Sequence, residues 1–86
     1  MEKIVKWTKN NLNQLVSEDG SISVYKESDH WVMKDGIDLD LLQFDNRENA
    51  LDTGGMRVLI SSMGNFYPFL KVAVKSGDLK IIHQIF

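Results

Sequence analysis

Apolar residues between Met56 and Phe86 occur in short blocks that are separated by Gly64-Asn65 and Gly77-Asp78. Blocks rich in Val, Ile, Leu and Phe, punctuated by tight-turn residues, are typical of successive β-strands. The pattern therefore predicts three C-terminal strands in a meander, at residues 56–63, 69–75 and 79–86. The first of them has apolar residues at both odd and even positions, so both faces of the strand would be apolar, which favours a central position in the sheet.

Residues Glu2 to Val16 show the period of an amphipathic helix. At 100° per residue, the apolar positions share one arc, whereas the lysines and asparagines fall on the opposite side. That apolar arc contains Ile4, Val5, Thr8, Leu12, Leu15 and Val16. The segment predicts an N-terminal helix that ends at residues 17–20, where Gly20 suits the left-handed conformation of a helix terminus.

Three further segments alternate with the two-residue period of strands. Ser21–Glu27 and His30–Lys34 predict two strands joined by a two-residue hairpin connection. Residues 37–41 then alternate three aliphatic side chains with Asp38 and Asp40. This last pattern predicts a strand whose aliphatic side faces the core and whose two carboxylates face solvent.

The segment Asp45–Gly55 has no usable period and is rich in turn-forming residues, so it predicts a loop, with a single helical turn at residues 47–51 as an alternative. Together these elements predict one α+β domain spanning residues 1–86. Its architecture is one N-terminal amphipathic helix packed on an antiparallel sheet of about five or six strands, because two layers hide one helical stripe and one sheet face.

Composition narrows the class of protein. The chain has 86 residues, 43% of them hydrophobic, and no cysteine. A single small domain must therefore fold by packing alone, without disulfides or thiolate metal ligands, which fits a reducing compartment. No apolar run is long enough for a membrane span and no secretion signal is present, so we expect a cytoplasmic protein that does not enter membranes. No cofactor motif is present.

The net charge of −2 conceals an acidic middle segment. Residues 35–52 contain six carboxylates and only one basic residue, Arg47. Such a segment attracts oppositely charged proteins and speeds their association. The candidate partner-binding residues are Asp38, Asp40, Asp45, Glu48 and Asp52. The alternative is that these charges only protect a strand from aggregation and keep the chain soluble. The EF-hand pattern is absent, so we predict no metal site.

The leading functional hypothesis is therefore a small non-enzymatic protein-binding module that engages a basic partner surface. Small size, acidic balance and the lack of catalytic motifs are similar in a general way to stoichiometric inhibitors and regulators, such as antitoxins, immunity proteins and phage proteins that act on the host.

Three other possibilities stay open. Aromatic and basic residues could form a platform for RNA or single-stranded nucleic acid, although no RNP or KH motif accompanies them. That platform would use Trp31, Arg57, Phe66, Tyr67, Lys71 and Lys75. A small ribonuclease-like enzyme would need His30 and His83 in one cleft. Finally, the apolar segment 81–86 could pair two copies into a homodimer if it lies at a sheet edge.

Overall fold

The computed structural model describes residues 1–64 and 67–86 of the chain. Within these residues it contains six strands and two helices. They are β1 (Glu2–Lys9), β2 (Leu15–Ser17), β3 (Ile22–Glu27), β4 (His30–Asp35), β5 (Asp40–Phe44), α1 (Arg47–Met63), α2 (Tyr67–Ser76) and β6 (Lys80–Ile85).

The strands form one mixed sheet in the order β5-β4-β3-β2-β1-β6. The first five strands are antiparallel neighbours in chain order, and β6 pairs parallel with β1. Parallel strands cannot be joined by a tight turn. Here the chain passes through β2 to β5, and the two helices then carry it from β5 at one edge of the sheet to β6 at the other. The predicted α+β class is thus confirmed, whereas the wholly antiparallel sheet is wrong at the β1–β6 pair.

The predicted N-terminal helix is wrong, because residues 2–9 form β1. Val5 and Trp7 point into the core, where they are 3% and 0% exposed, whereas Lys6 and Thr8 between and beyond them are exposed. This segment carries three lysines, which the positive end of a helix dipole would disfavour in a first turn. Long-range pairing with β2 and β6 therefore decides its conformation, in place of the helical period.

A tight connection at residues 10–14 reverses the chain where the helix was predicted to continue. The Asn10 side chain accepts hydrogen bonds from the backbone N–H groups of Leu12 and Gln14, at 3.0 and 2.9 Å. Asn13 adopts a left-handed φ of 63°, a conformation that asparagine tolerates better than most residues. Local side-chain hydrogen bonding thus starts a hairpin.

The strands predicted at 56–63 and 69–75 are also wrong, since these residues lie in α1 and α2. Short runs with apolar residues at both odd and even positions are compatible with a buried strand and with a buried helix, so the pattern does not distinguish the two. The loop predicted at 45–55 is likewise helical from Arg47 onward. Its start is capped by Asn46, whose side chain accepts a hydrogen bond from Asn49 N at 2.8 Å. The third predicted strand is confirmed as β6.

The hairpin of β3 and β4 is confirmed, with Ser28 in a left-handed turn conformation (φ 56°). The strand predicted at 37–41 is wrong, because residues 36–39 form a turn and β5 begins only at Asp40. Leu39 has a φ of 57°, so the two-residue alternation does not place aliphatic side chains inward. Ile37, Leu39 and Leu41 are instead exposed.

The core lies between α1 and the sheet, around the fully buried Trp7. A Cβ added at Gly54 of α1 would lie 2.8 Å from Ile22 Cγ2 and 3.2 Å from Trp7 Cη2. Such distances lie well inside the normal van der Waals separation of carbon atoms. Gly54 is therefore the residue that lets the helix approach the sheet.

We expect Gly54→Ala to destabilise the protein. In an open helix this change would stabilise by about 1 kcal/mol, but here overpacking against Ile22 and Trp7 costs about 1–3 kcal/mol. Urea unfolding followed by tryptophan fluorescence measures the difference. Ser61→Ala on the exposed side of the same helix is the control and should change stability by less than about 0.5 kcal/mol. A Gly54→Ala variant as stable as the wild type would contradict the close approach.

Candidate functional site

Residues 36–39 form the turn between β4 and β5, and we call this turn, together with the first two residues of β5, the acidic turn (residues 36–41). Its anchor is Asp35, the last residue of β4, whose carboxylate is 3% exposed. The Asp35 side chain accepts hydrogen bonds from the backbone N–H groups of Ile37 and Asp38, at 2.8 and 3.1 Å. The N–H of Gly36 also donates to the Ser21 carbonyl at 2.9 Å. The turn is therefore tied to the sheet at several points.

Arg57 of α1 reaches across to the same turn. Its Nη1 lies 3.0 Å from Asp35 Oδ2, 2.6 Å from Asp40 Oδ2 and 3.9 Å from Asp38 Oδ2. Three carboxylates thus surround one guanidinium, and the cluster keeps a net negative charge. Because the guanidinium is partly buried, these charge-assisted hydrogen bonds are stronger than those of exposed pairs. Helix and turn are fixed to one another.

The ionisation of these groups follows from their contacts. Burial acts to raise the pKa of Asp35, but hydrogen bonds from Arg57 and from two backbone N–H groups outweigh it and hold that pKa below its ordinary value. The hydrogen bonds to Asp40 and Asp35 raise the pKa of Arg57 above its ordinary value. The buried pair therefore stays ionised at neutral pH.

The acidic turn also exposes aliphatic side chains. Ile37 is 62% exposed, Leu39 is 85% exposed and Leu41 is 56% exposed. None of them contributes to the buried core. Leu39 moreover holds a left-handed backbone conformation, which costs about 1 kcal/mol or more for a residue other than glycine. A rigid turn that displays apolar groups between carboxylates can contact another macromolecule without first becoming ordered.

The other predicted partner-binding carboxylates lie elsewhere. Asp45 and Glu48 are exposed near the beginning of α1, where Glu48 lies 3.5 Å from Arg47. Asp52 faces β6 and contacts His83. The structure thus brings Asp38 and Asp40 together but does not unite the five carboxylates in one patch. Whether they bind a partner stays a prediction.

A second polar cluster joins the two ends of the chain. Trp7 Nε1 donates a hydrogen bond to His83 Nδ1 at 3.0 Å, and His83 Nε2 lies 2.7 Å from Asp52 Oδ1. Because Nδ1 accepts, the proton of the neutral ring must reside on Nε2, which donates to the carboxylate. Sequence reasoning missed this cluster, since 76 residues separate Trp7 from His83 and no local pattern links them.

The two histidines proposed for an enzyme do not share a cleft. His30 begins β4 and lies 3.3 Å from Asp29. His83 lies in β6, and three strands separate β4 from β6. At about 4.8 Å per strand the axes of β4 and β6 are on the order of 19 Å apart, and the two rings line different pockets. They also point to opposite faces, as the register of the intervening strands requires.

The residues of the nucleic-acid hypothesis are dispersed. Trp31 is half-buried on β4, and Arg57 is held by carboxylates. Lys71 and Lys75 are exposed on α2, which Tyr67 begins, and Phe66 lies outside the described residues. Among the described residues the predicted sheet platform does not form, because Arg57, Lys71 and Lys75 lie on helices and not on strands.

Comparisons give no outside guidance: no family model, curated protein or solved structure matches this chain. Among the described residues, no three acidic or histidine side chains are placed to hold a metal ion. Over that same part of the chain, neither helix has the length and apolarity needed to cross a membrane. The function must be argued from the geometry of the acidic turn and its surroundings.

Acid should weaken the fold through Asp35. The pKa of Asp35 in the folded protein is lower than its ordinary value of 3.8, so its stabilising effect is complete above that value and is lost as the pH falls through the folded-state pKa. Asp35→Asn should therefore be less stable at neutral pH and should lose less stability on acidification. Urea unfolding midpoints, measured from neutral pH down to a pH below 3.8, test the effect.

The control for that experiment is Asp45→Asn, which neutralises an exposed carboxylate and should leave the acid dependence almost unchanged. Equal acid dependence of Asp35→Asn and wild type would show that Asp35 does not contribute.

At neutral pH, ¹⁵N NMR should show His83 as the tautomer that carries its proton on Nε2. Trp7→Phe removes the indole donor, so the Nδ1 acceptor loses its partner and the fold should lose about 1–3 kcal/mol. His30 provides the internal reference, because its Nδ1 lies near the Asp29 carboxylate and not near an indole N–H. A proton on Nδ1 of His83 in the wild type would contradict the observed hydrogen-bond direction.

Proposed function

We propose that this protein is a non-enzymatic protein-binding module that holds its partner through the acidic turn. The observation that supports this proposal is the exposure of Ile37 and Leu39 on a turn that Asp35 and Arg57 hold in place. Fully burying an aliphatic side chain of this size in an interface contributes about 1.5–3 kcal/mol. These two side chains therefore act as apolar anchors.

The rigidity of the acidic turn supports the proposal energetically. Ordering a flexible loop on binding costs about 0.5–1.5 kcal/mol per immobilised side chain, which subtracts from the affinity. Here the hydrogen bonds to the Asp35 carboxylate and the Arg57 contacts have already fixed the backbone. Most of the binding energy of the anchors thus remains available for the partner.

The charges around the anchors define the partner. Asp38 is largely exposed, and its carboxylate is 3.9 Å from Arg57, too far for a hydrogen bond. Asp40, in contrast, accepts a hydrogen bond from Arg57. The surplus negative charge favours a partner whose apolar pocket is surrounded by Lys and Arg. Asp45, Glu48 and Asp52 would add to the attraction at longer range. Blocking or regulating a basic protein in a stoichiometric complex is the role that this surface suits.

The test compares Leu39→Ser with Leu12→Ser. Both leucines are largely exposed, at 85% and 71%, but Leu12 lies in the β1–β2 connection, away from the acidic turn. In a lysate of the cells that produce this protein, the partner is identified as a protein that binds the immobilised wild type and Leu12→Ser but not Leu39→Ser. With the purified partner, Leu39→Ser should weaken binding by about 10-fold or more, since 1.4 kcal/mol corresponds to a factor of ten.

Charge reversal tests the attraction separately from the anchors. Asp38→Lys should slow association and reduce its dependence on salt, whereas Glu27→Lys, at the end of the β3–β4 pair opposite to the acidic turn, should do so much less. The proposal fails if no protein distinguishes the two leucine variants, or if Leu39→Ser binds the partner as tightly as Leu12→Ser does.

A further inference from the structure

The free edge of the sheet at β6 has unpaired backbone groups. The N–H groups of Lys80 and Phe86 donate to the carbonyls of Met1 and Trp7, both at 2.9 Å. In a strand, consecutive residues direct these groups to opposite sides. The N–H and C=O groups of residues 81, 83 and 85 therefore point away from β1, and within the described residues no hydrogen bond is made to them.

This edge lacks the usual protection against pairing. Monomeric proteins place charges, proline or bulges on exposed edge strands. Apart from Lys80 at its beginning, β6 contains none of these. Ile85 is 40% exposed although it points to the face that α1 covers. The strand can therefore accept a further strand with neither electrostatic repulsion nor a missing N–H donor.

A groove runs beside this edge, with a volume of about 520 Å³, between β6, α1 and the end of α2. The N–H of Leu79, next to the beginning of β6, donates to the Ala73 carbonyl, and Val74 lines a second pocket together with Met56. Asp52, which comes earlier in α1, contacts His83, so α1 runs antiparallel to β6. Met56 and Val74 consequently line the end near Ile81, and Arg47 lies toward Ile85. The groove has one apolar end and one polar end.

We propose that the occupant of this edge is β6 of a second copy, paired antiparallel about a twofold axis at His83. In that register Ile85 of the second copy lies opposite Ile81 and enters the apolar end of the groove. Each of the three outward-pointing residues then exchanges two hydrogen bonds with its counterpart.

The register follows from the strand itself. If the register slipped by one residue, backbone groups that point away from β1 would face residues whose backbone groups are already directed toward β1, and the hydrogen bonds between copies could not form. A twofold axis at residue 82 or 84 would pair only two of the three outward residues within the strand. The axis at His83 also places Lys80 opposite Phe86 of the other copy, so the two lysines do not face each other. The strand is thus complementary to a second copy of itself, with Ile81 of each copy matched to Ile85 of the other.

The edge is tested by removing one outward N–H group. Ile85→Pro deletes a donor that β1 does not use, so the monomer should keep its circular dichroism spectrum, whereas self-association measured by sedimentation should weaken about tenfold or more. Ile85→Val retains the N–H and is the matched control. A wild type that stays monomeric up to about 1 mM, a concentration at which even weak specific pairs form, would overturn the proposal. Equal association of Ile85→Pro and Ile85→Val would do the same.

Disulfide trapping tests the register, and the natural chain contains no cysteine to interfere. Residues 82 and 84 of opposite copies would form a non-hydrogen-bonded pair with Cα atoms about 4.5 Å apart, within the range for a disulfide. Mixing Ile82→Cys with Gln84→Cys should give the mixed dimer on oxidation, and Gln84→Cys alone should not crosslink. Efficient crosslinking of Gln84→Cys with itself, or none in the mixture, would overturn the register.

Discussion

The structure depends on the close approach of α1 to the sheet above Trp7. Gly54 and Gly55 leave no side chain between the helix backbone and the sheet, and a Cβ at Gly54 would overlap Ile22. This approach completes the burial of Trp7, Ile22 and Met33, which are at most 1% exposed. In a domain of this size, where little apolar area is available, a helix held even slightly further away would leave its largest core residue partly hydrated.

The same approach sets both polar clusters. With α1 held against the sheet, Arg57 on one side of the helix meets Asp35 and Asp40, and Asp52 on the other side meets His83. Each contact opposes rotation of the helix in one direction. The backbone of the acidic turn inherits this rigidity because Asp35 bonds both to Arg57 and to the turn. Core packing and the exposed surface are therefore linked through a single helix.

Local patterns were sufficient where neighbouring residues decide the structure. The β3–β4 hairpin and β6 could be predicted, because alternation and turn residues specify them. The helix-like period of residues 2–16 misled because β1 is stabilised by β2 and β6, which the local period does not report. Gly54-Gly55 suggested a loop, since glycine is unfavourable inside helices, and the tertiary approach that requires it is not visible in the sequence. The two aspartates 38 and 40 were recognised as neighbours, but their partner Arg57 was assigned to a strand.

The parallel pair of β1 and β6 has a consequence for how the chain folds. The first strand hydrogen-bonds to the last, and the Met1 amino group donates to the Asp78 carbonyl, 77 positions away. Contacts this distant in sequence are entropically costly to close and slow the search for the native topology. While the polypeptide is being synthesised, β1 must wait for β6 to emerge from the ribosome before one of its two edges is satisfied. The nascent chain is therefore exposed to aggregation until its last strand has been made.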